Sequence, residues 1–228
     1  MLATLLAAGG ALDPKLLIEK GGLWLLVLIV FAESGLLIGF FLPGDSLLFI
    51  AGFLTSPAAK DLPAFASVAE SFHPNLAVML VCLFAAAVAG DQVGYLIGRR
   101  AGPALFRRED SRLFKQQYVV KAEAFFERYG PKTVLLARFV PIVRTFAPVV
   151  AGVGRMHYRT FVIYNVVGGF LWAVGITLLG HFLGRIELVR DNIELAILAV
   201  VLISLLPVIV EVARHRLAKR TAGAGVAS

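Results

Sequence analysis

Four ionisable residues stand inside long apolar runs, three of them beside helix breakers. Glu33 lies in FAESG, Asp45 follows Pro43-Gly44 directly, and Arg138 and Arg144 flank Pro141. A charged side chain at the centre of a bilayer costs about 2.5–3.5 kcal/mol on insertion scales. Four of them would offset much of the gain from neighbouring leucines unless they face water, a substrate or one another. Pro43, Gly44, Pro141 and Pro148 read as helix breaks, and each break frees backbone groups that need a protein-lined or wet cavity. A guanidinium is a permanent cation whose fork matches phosphate oxygens, so Arg138 and Arg144 are candidates to hold a phosphate-bearing headgroup. Burial and nearby arginines act in opposite directions on a carboxyl's proton affinity, a balance that permits proton uptake and release. These residue types therefore describe a proton on Glu33 or Asp45 coupled to an anion on the arginines. Two plainer readings stand beside it. Acids and arginines can pair only to pin two segments together, or some of them can sit at headgroup level and snorkel.

Asp91, in GDQVGYLIGRRAG, and Asn165 are candidates to line the same cavity. Gly90, Gly94 and Gly98 recur every four residues, a small-xxx-small face suited to close helix contact. Trp172 shares a helix face with Asn165 and reads as a packing residue or interface anchor. The four histidines are scattered, and GDQVG is no nucleotide fingerprint. No HExxH, Walker A or GxSxG string occurs, so neither an enzyme, nor a cofactor, nor a metal site is expected. Cys82 is the only cysteine, which excludes an intramolecular disulfide and any multi-thiolate metal site.

The elements that must position these residues are helices in a bilayer. Of 228 residues 59% are hydrophobic and only 16% charged, against about 25% charged in an ordinary soluble domain. The mean hydropathy is +0.84 and the net charge +7. In such a chain the basic excess fits cytoplasmic loops rather than nucleic-acid binding. Leu2 to Leu12 is too short an apolar stretch to span, and residues 1–20 read as an interfacial segment. Gly21 to Thr55 is too long for one span and too short for two plus a turn, so it is expected to break and re-enter. Asn75 to Ile97 is a full span. Residues 99–130 form a basic linker: from Arg99 to Lys132 there are nine basic residues against four acidic ones, which places it in the cytoplasm. Phe114, Tyr118, Ala122, Phe125 and Tyr129 give the linker the period of an amphipathic surface helix. Pro131 to Gly154 is expected to enter from the cytoplasm and return to it, Phe161 to Leu183 to span outward, and residues 193–210 to span back. Residues 211–228 are then a basic cytoplasmic tail.

A weak internal repeat runs through this map. Phe41-Leu42-Pro43, Ala51-Gly52 and Gly94-Tyr95-Leu96-Ile97-Gly98-Arg99 correspond to Phe139-Val140-Pro141, Ala151-Gly152 and Gly180-His181-Phe182-Leu183-Gly184-Arg185. Charges orient the two spans oppositely, which makes the halves inverted: repeat one is 21–98 and repeat two is 131–184. Proline-interrupted segments at matching places in inverted halves point to a midplane transport site. The expected fold is thus an all-α membrane domain over residues 21–210. It comprises two inverted repeats, each a re-entrant Pro-broken hairpin plus a transmembrane helix, with the cytoplasmic amphipathic helix and a C-terminal span.

FAESGLLIGFFLPGDSLLFIAG (31–52), GDQVGYLIGRRAG (90–102), ARFVPIVRTFAPVVAG (137–152) and FVIYNVVGGFLWAVGITLLGHFLG (161–184) resemble the DedA family, also called SNARE-associated or VTT-domain proteins. FLPGD followed at a distance by RFxPxVRTxxPxxAG is the specific part of the match. The resemblance implies the same inverted-repeat fold in a cytoplasmic (inner) membrane. It also implies that Glu33 and Asp45 are the family's membrane acids, and Arg138 and Arg144 its essential arginines. Relatives are implicated in membrane homeostasis, in proton-motive-force-dependent tolerance of alkali and cationic drugs, in return of undecaprenyl phosphate and, in eukaryotes, in phospholipid scrambling. The first expectation is therefore a proton-coupled translocase for a polyprenyl phosphate or an anionic phospholipid. The rivals are a proton-coupled antiporter for small cations or drugs and a non-transporting membrane organiser; an intramembrane enzyme ranks below them.

Overall fold

A computed structural model describes residues 14–36, 44–62, 68, 75–106, 130, 132–186, 192 and 195. Every regular element among them is helical. In chain order they are α1 (Pro14–Gly35), α2 (Gly44–Leu54), a short 3-10 helix (Pro57–Asp61), α3 (Leu76–Phe106), α4 (Lys132–Ala137), α5 (Pro141–Val153) and α6 (Tyr158–Leu183). Within α6, Phe170–Val174 is a π-helical segment.

Among the described residues, two helices are long and apolar enough to cross a membrane: Leu76–Arg100 within α3 and the whole of α6. At 1.5 Å per residue they reach about 37–39 Å, against a hydrocarbon core of about 30 Å. Their outward faces carry Val78, Val81, Ile163, Phe170, Leu179 and Phe182, all exposed and apolar, which is the surface a lipid environment calls for. By contrast α2 and α5, with 11 and 13 residues, reach only about half to two-thirds of that thickness.

Several expected boundaries shift. Helix α1 starts at Pro14, upstream of the expected start at Gly21, although its backbone leaves helical geometry at Gly22 (φ 55°, ψ −150°), so the turn before the kink belongs to a separate helical piece. Helix α3 continues past Arg99-Arg100 to Phe106, into the stretch read as linker. Pro141 opens α5 at its first turn, where its missing N–H costs nothing and where it drives Val140 to an extended conformation (φ −117°, ψ 107°). Pro148 does not break the chain as expected: α5 runs through it, and the proline only withholds the donor that the carbonyl one turn earlier would receive. Pro43, the amphipathic period at 114–129, the last span at 193–210 and the tail at 211–228 lie outside the described residues.

The short helices cross the far ends of the long ones. Helix α2 packs on the C-terminal half of α6, and α5 packs on the C-terminal half of α3, while α1 lies along α3. Both crossings bring backbone against backbone. A Cβ on Gly52 would strike the Thr177 carbonyl, and one on Gly180 the Phe49 carbonyl. In the other pair a Cβ on Gly152 would strike the Tyr95 carbonyl, and one on Gly98 the Val149 carbonyl. Helices in lipid gain little from excluding water from one another, so van der Waals contact at small residues is what holds such crossings. One apolar core joins Leu26, Val30, Leu47, Phe49, Phe53, Met79, Leu83 and Trp172 from α1, α2, α3 and α6. A second joins Tyr95, Val134, Ala151, Met156 and Phe161, with the Tyr95 and Phe161 rings stacked at 4.5 Å.

The crossings generate a matched pair of expectations. Gly180→Ala forces a methyl into backbone that cannot yield and lowers stability by about 1–3 kcal/mol, the usual cost of overpacking. Gly175→Ala, where a Cβ meets nothing within 4 Å, is neutral or stabilising by about 0.5–1 kcal/mol. Unfolding of the two variants in detergent, followed by circular dichroism, checks both.

Candidate functional site

The break between α1 and α2 and the corner between α4 and α5 deliver the ionisable residues to the middle of the bundle. Glu33 lies in the last turn of α1 and Asp45 in the first turn of α2, where a helix N-terminus favours a carboxylate. Arg138 occupies the corner after α4, where 3-10 hydrogen bonds from Arg138, Phe139 and Val140 lead into α5. Arg144 is in the first turns of α5, with its N–H on the Val140 carbonyl. Asp91 comes from α3, Asn165 from α6, and Trp172 from the π segment of α6. Glu33, Arg138 and Trp172 are 2%, 4% and 2% exposed, and Asp45, Asp91 and Asn165 are likewise buried.

These residues resolve into two ion clusters. In the first, Arg144 is the hub: Nη1 donates to Asp45 Oδ1 at 2.6 Å and Nη2 donates to Glu33 Oε1. Glu33 Oε2 is turned toward Gly44, so close that a Cβ there would overlap it, which makes glycine the residue that admits the acid at the start of α2. In the second, Arg138 Nη2 donates to Asp91 Oδ2 and to Asn165 Oδ1 (2.6 Å), and more loosely to the Ala87 carbonyl (3.4 Å). Asn165 in turn donates through Nδ2 to the Val88 carbonyl at 3.1 Å. Trp172 stands between the clusters. Its Nε1–H donates to Asp45 Oδ1 at 2.8 Å, and its ring lies under Arg144 (4.6 Å to the centroid) and beside Arg138 (5.8 Å).

All six residues singled out in the sequence for their polar groups thus come together, but the pairing is unequal. Arg144 takes both Glu33 and Asp45, whereas Arg138 takes Asp91 and Asn165. Three carboxylates face two guanidiniums, which leaves one formal negative charge when all are ionised. Trp172, read from the sequence as packing or an interface anchor, does pack in the apolar core and also bonds Asp45 between the clusters; its position on the face of Asn165 was the available signal. His181 was passed over as one of four scattered histidines, yet it is buried and bonded. Thr55 Oγ1 donates to the Gly52 carbonyl (2.6 Å) and so accepts from His181 Nδ1 (2.8 Å), which leaves Nε2 to accept from Arg185 (3.0 Å). At the other crossing Arg99 donates to the Tyr95 hydroxyl (3.0 Å), which donates to the Met156 carbonyl (2.6 Å).

Apolar spans, an exterior suited to lipid and buried ion clusters define a helical membrane protein. Comparison with known proteins gives it a family. The VTT-domain model matches residues 42–182, a stretch that holds every residue of the two clusters except Glu33. The chain is similar to Protein DedA of Escherichia coli K12, with 45% identity over 88% of this chain and 87% of the relative. It is also similar to uncharacterized membrane proteins of Mycobacterium tuberculosis (48% identity; 86% of this chain, 81% of the relative) and Mycobacterium leprae (43%; 92% and 90%). No solved structure matches it. The chain belongs to the VTT-domain, or DedA, family.

The second cluster yields a test of its energetics. Asp91→Leu strands a guanidinium that cannot give up its charge, and costs about 3–5 kcal/mol. Arg138→Met costs less, because the carboxyl it abandons can take a proton. The double variant recovers most of the loss, a coupling that a double-mutant cycle on unfolding in detergent measures directly.

Proposed function

We propose that this protein translocates an anionic lipid, a polyprenyl phosphate first and a phospholipid second, across the cytoplasmic membrane in exchange with protons. The observation that carries the reading is the hub at Arg144, a buried cation shared by two carboxylates that neighbour a helix break. Protonating Glu33 or Asp45 releases part of the guanidinium's edge, and phosphate oxygens are the acceptors that its geometry matches best. The Nε groups of Arg138 and Arg144 are buried donors without an acceptor among the described residues, so each has a donor left for an incoming anion. Glu33 and Asp45 act as proton carriers, Arg144 and Arg138 as phosphate ligands, and Asp91 and Asn165 as the groups that hold Arg138 in position. The reading is transport rather than catalysis, with no cofactor and with lipid and protons as partners.

The same proposal includes two inverted repeats with re-entrant α2 and α5, a cytoplasmic basic linker and a cytoplasmic C-terminus. Support comes from the crossings: Gly52 on α6 and Gly152 on α3 make like contacts, and in each a short helix from one half packs against the long helix of the other. A second reading is favoured by the surplus carboxylate. One formal negative charge in the cluster suits a small cation, which would make the protein a proton-coupled antiporter.

Reconstitution into liposomes separates the two. Labelled polyprenyl phosphate and labelled phospholipid are followed across the bilayer with and without a pH gradient, beside a cation-flux assay. The expected outcome is gradient-dependent lipid movement by the wild type. In Arg144→Gln this movement falls to the protein-free background, while the variant remains inserted in the membrane. Cation flux without lipid movement would instead establish the antiporter.

A further inference from the structure

Trp172 presents two different surfaces to the first ion cluster. Its ring face carries the Arg144 guanidinium, and its edge donates an N–H to Asp45. A guanidinium is flat, and stacking on its face leaves all five N–H donors at its rim available. Arg144 spends Nη1 on Asp45 and Nη2 on Glu33, and its Nε has no acceptor among the described residues. Acceptors can therefore be traded among these donors while the cation stays over the indole.

Asp45 sets the cost of that trade. Its Oδ1 accepts from both Arg144 and Trp172. When Glu33 takes the proton and Arg144 turns to another anion, an Asp45 carboxylate held by arginine alone would be left as a buried charge without a partner, a heavily penalised state. The indole N–H remains and keeps the carboxylate bonded in the first turn of α2. Being uncharged, it does not itself compete for the incoming anion.

The backbone supports more than a space-filling part. Trp172 lies inside the π-helical segment Phe170–Val174, and such segments in long helices are frequent at functional sites. A regular helix would serve if the ring only filled a gap between α2 and α3.

We infer that Trp172 is the positioning residue that holds Arg144 and Asp45 in place while the carboxylates on Arg144 are exchanged for the oxygens of an anionic lipid headgroup. The inference rests on the transport reading above and names the group that makes the exchange affordable.

The chain has two tryptophans, and Trp24 is 79% exposed on α1, away from the clusters, so Trp24→Phe leaves Trp172 as the sole indole reporter. In proteoliposomes of the full chain, Trp172→Phe keeps an aromatic face and loses the N–H, and Trp172→Leu loses both. The expected result is translocation of labelled polyprenyl phosphate slowed about tenfold or more by Trp172→Phe, the scale of one hydrogen bond to a charged group. Trp172→Leu slows it further. In the Trp24→Phe protein, a short-chain polyprenyl phosphate shifts Trp172 emission saturably, and the shift is absent in Arg144→Gln. Wild-type translocation by Trp172→Phe overturns the inference. So does emission that ignores a saturating amount of the lipid, and this second readout decides alone if the Trp172 variants fail to fold. A wild-type chain that moves no lipid sinks the transport reading itself, whereas lipid movement with unresponsive emission sinks only the role of the indole.

Discussion

A guanidinium that cannot discharge itself, buried among helices, is the constraint around which this protein is organised. Arg144 needs acceptors, and each acceptor it has is supplied by interrupting a helix. Glu33 stands at the end of α1, Asp45 at the start of α2, and Arg144 near the start of α5, so three helix ends converge where continuous spans would place only side-chain faces. Interrupted backbone inside a bilayer is tolerated where protein buries it or a wet cavity meets it, and the long helices α3 and α6 pack beside these helix ends. Arg138 repeats the theme at lower complexity, drawing on one carboxylate, one amide and a backbone carbonyl of α3.

Tight crossings are what make this convergence affordable. Because α2 and α5 lie against α6 and α3 at glycines, the short helices sit close enough for their first turns to meet near the centre. The same helices gather two apolar cores, one around Phe49 and Trp172, the other around Tyr95 and Phe161.

Much of this was legible in the residues. Charges beside Pro43-Gly44 and Pro141 stood out because nothing else in a leucine-rich sequence explains their cost, and the structure brings all four together. Glycines at 90, 94 and 98 were readable as a contact face because the absence of side chains leaves one obvious use. Partner choice was not readable: electrostatics alone allows Arg138 to take Glu33 as well as Asp91, and only the corner at residues 138–140 decides between them. Pro148 misled because a proline in the interior of a helix resembles one at its start, and the local pattern does not show that α5 has already begun. For Trp172 the packing was legible but the bond to Asp45 was not: the face it shares with Asn165 was the one signal, and the π segment that carries it leaves no signature in composition.

That wide turn bears on how the protein can vary. In a regular helix Asn165 and Trp172, seven residues apart, would stay nearly aligned, with a drift of only ~20°. The π segment releases the two halves of α6 from this fixed phase, so that the N-terminal half can serve α4 while the C-terminal half serves α2. Gaining or losing one residue there would reset which side chain meets the arginines and leave both flanking packings intact. At this single place, chain length rather than side-chain identity tunes the centre of the molecule.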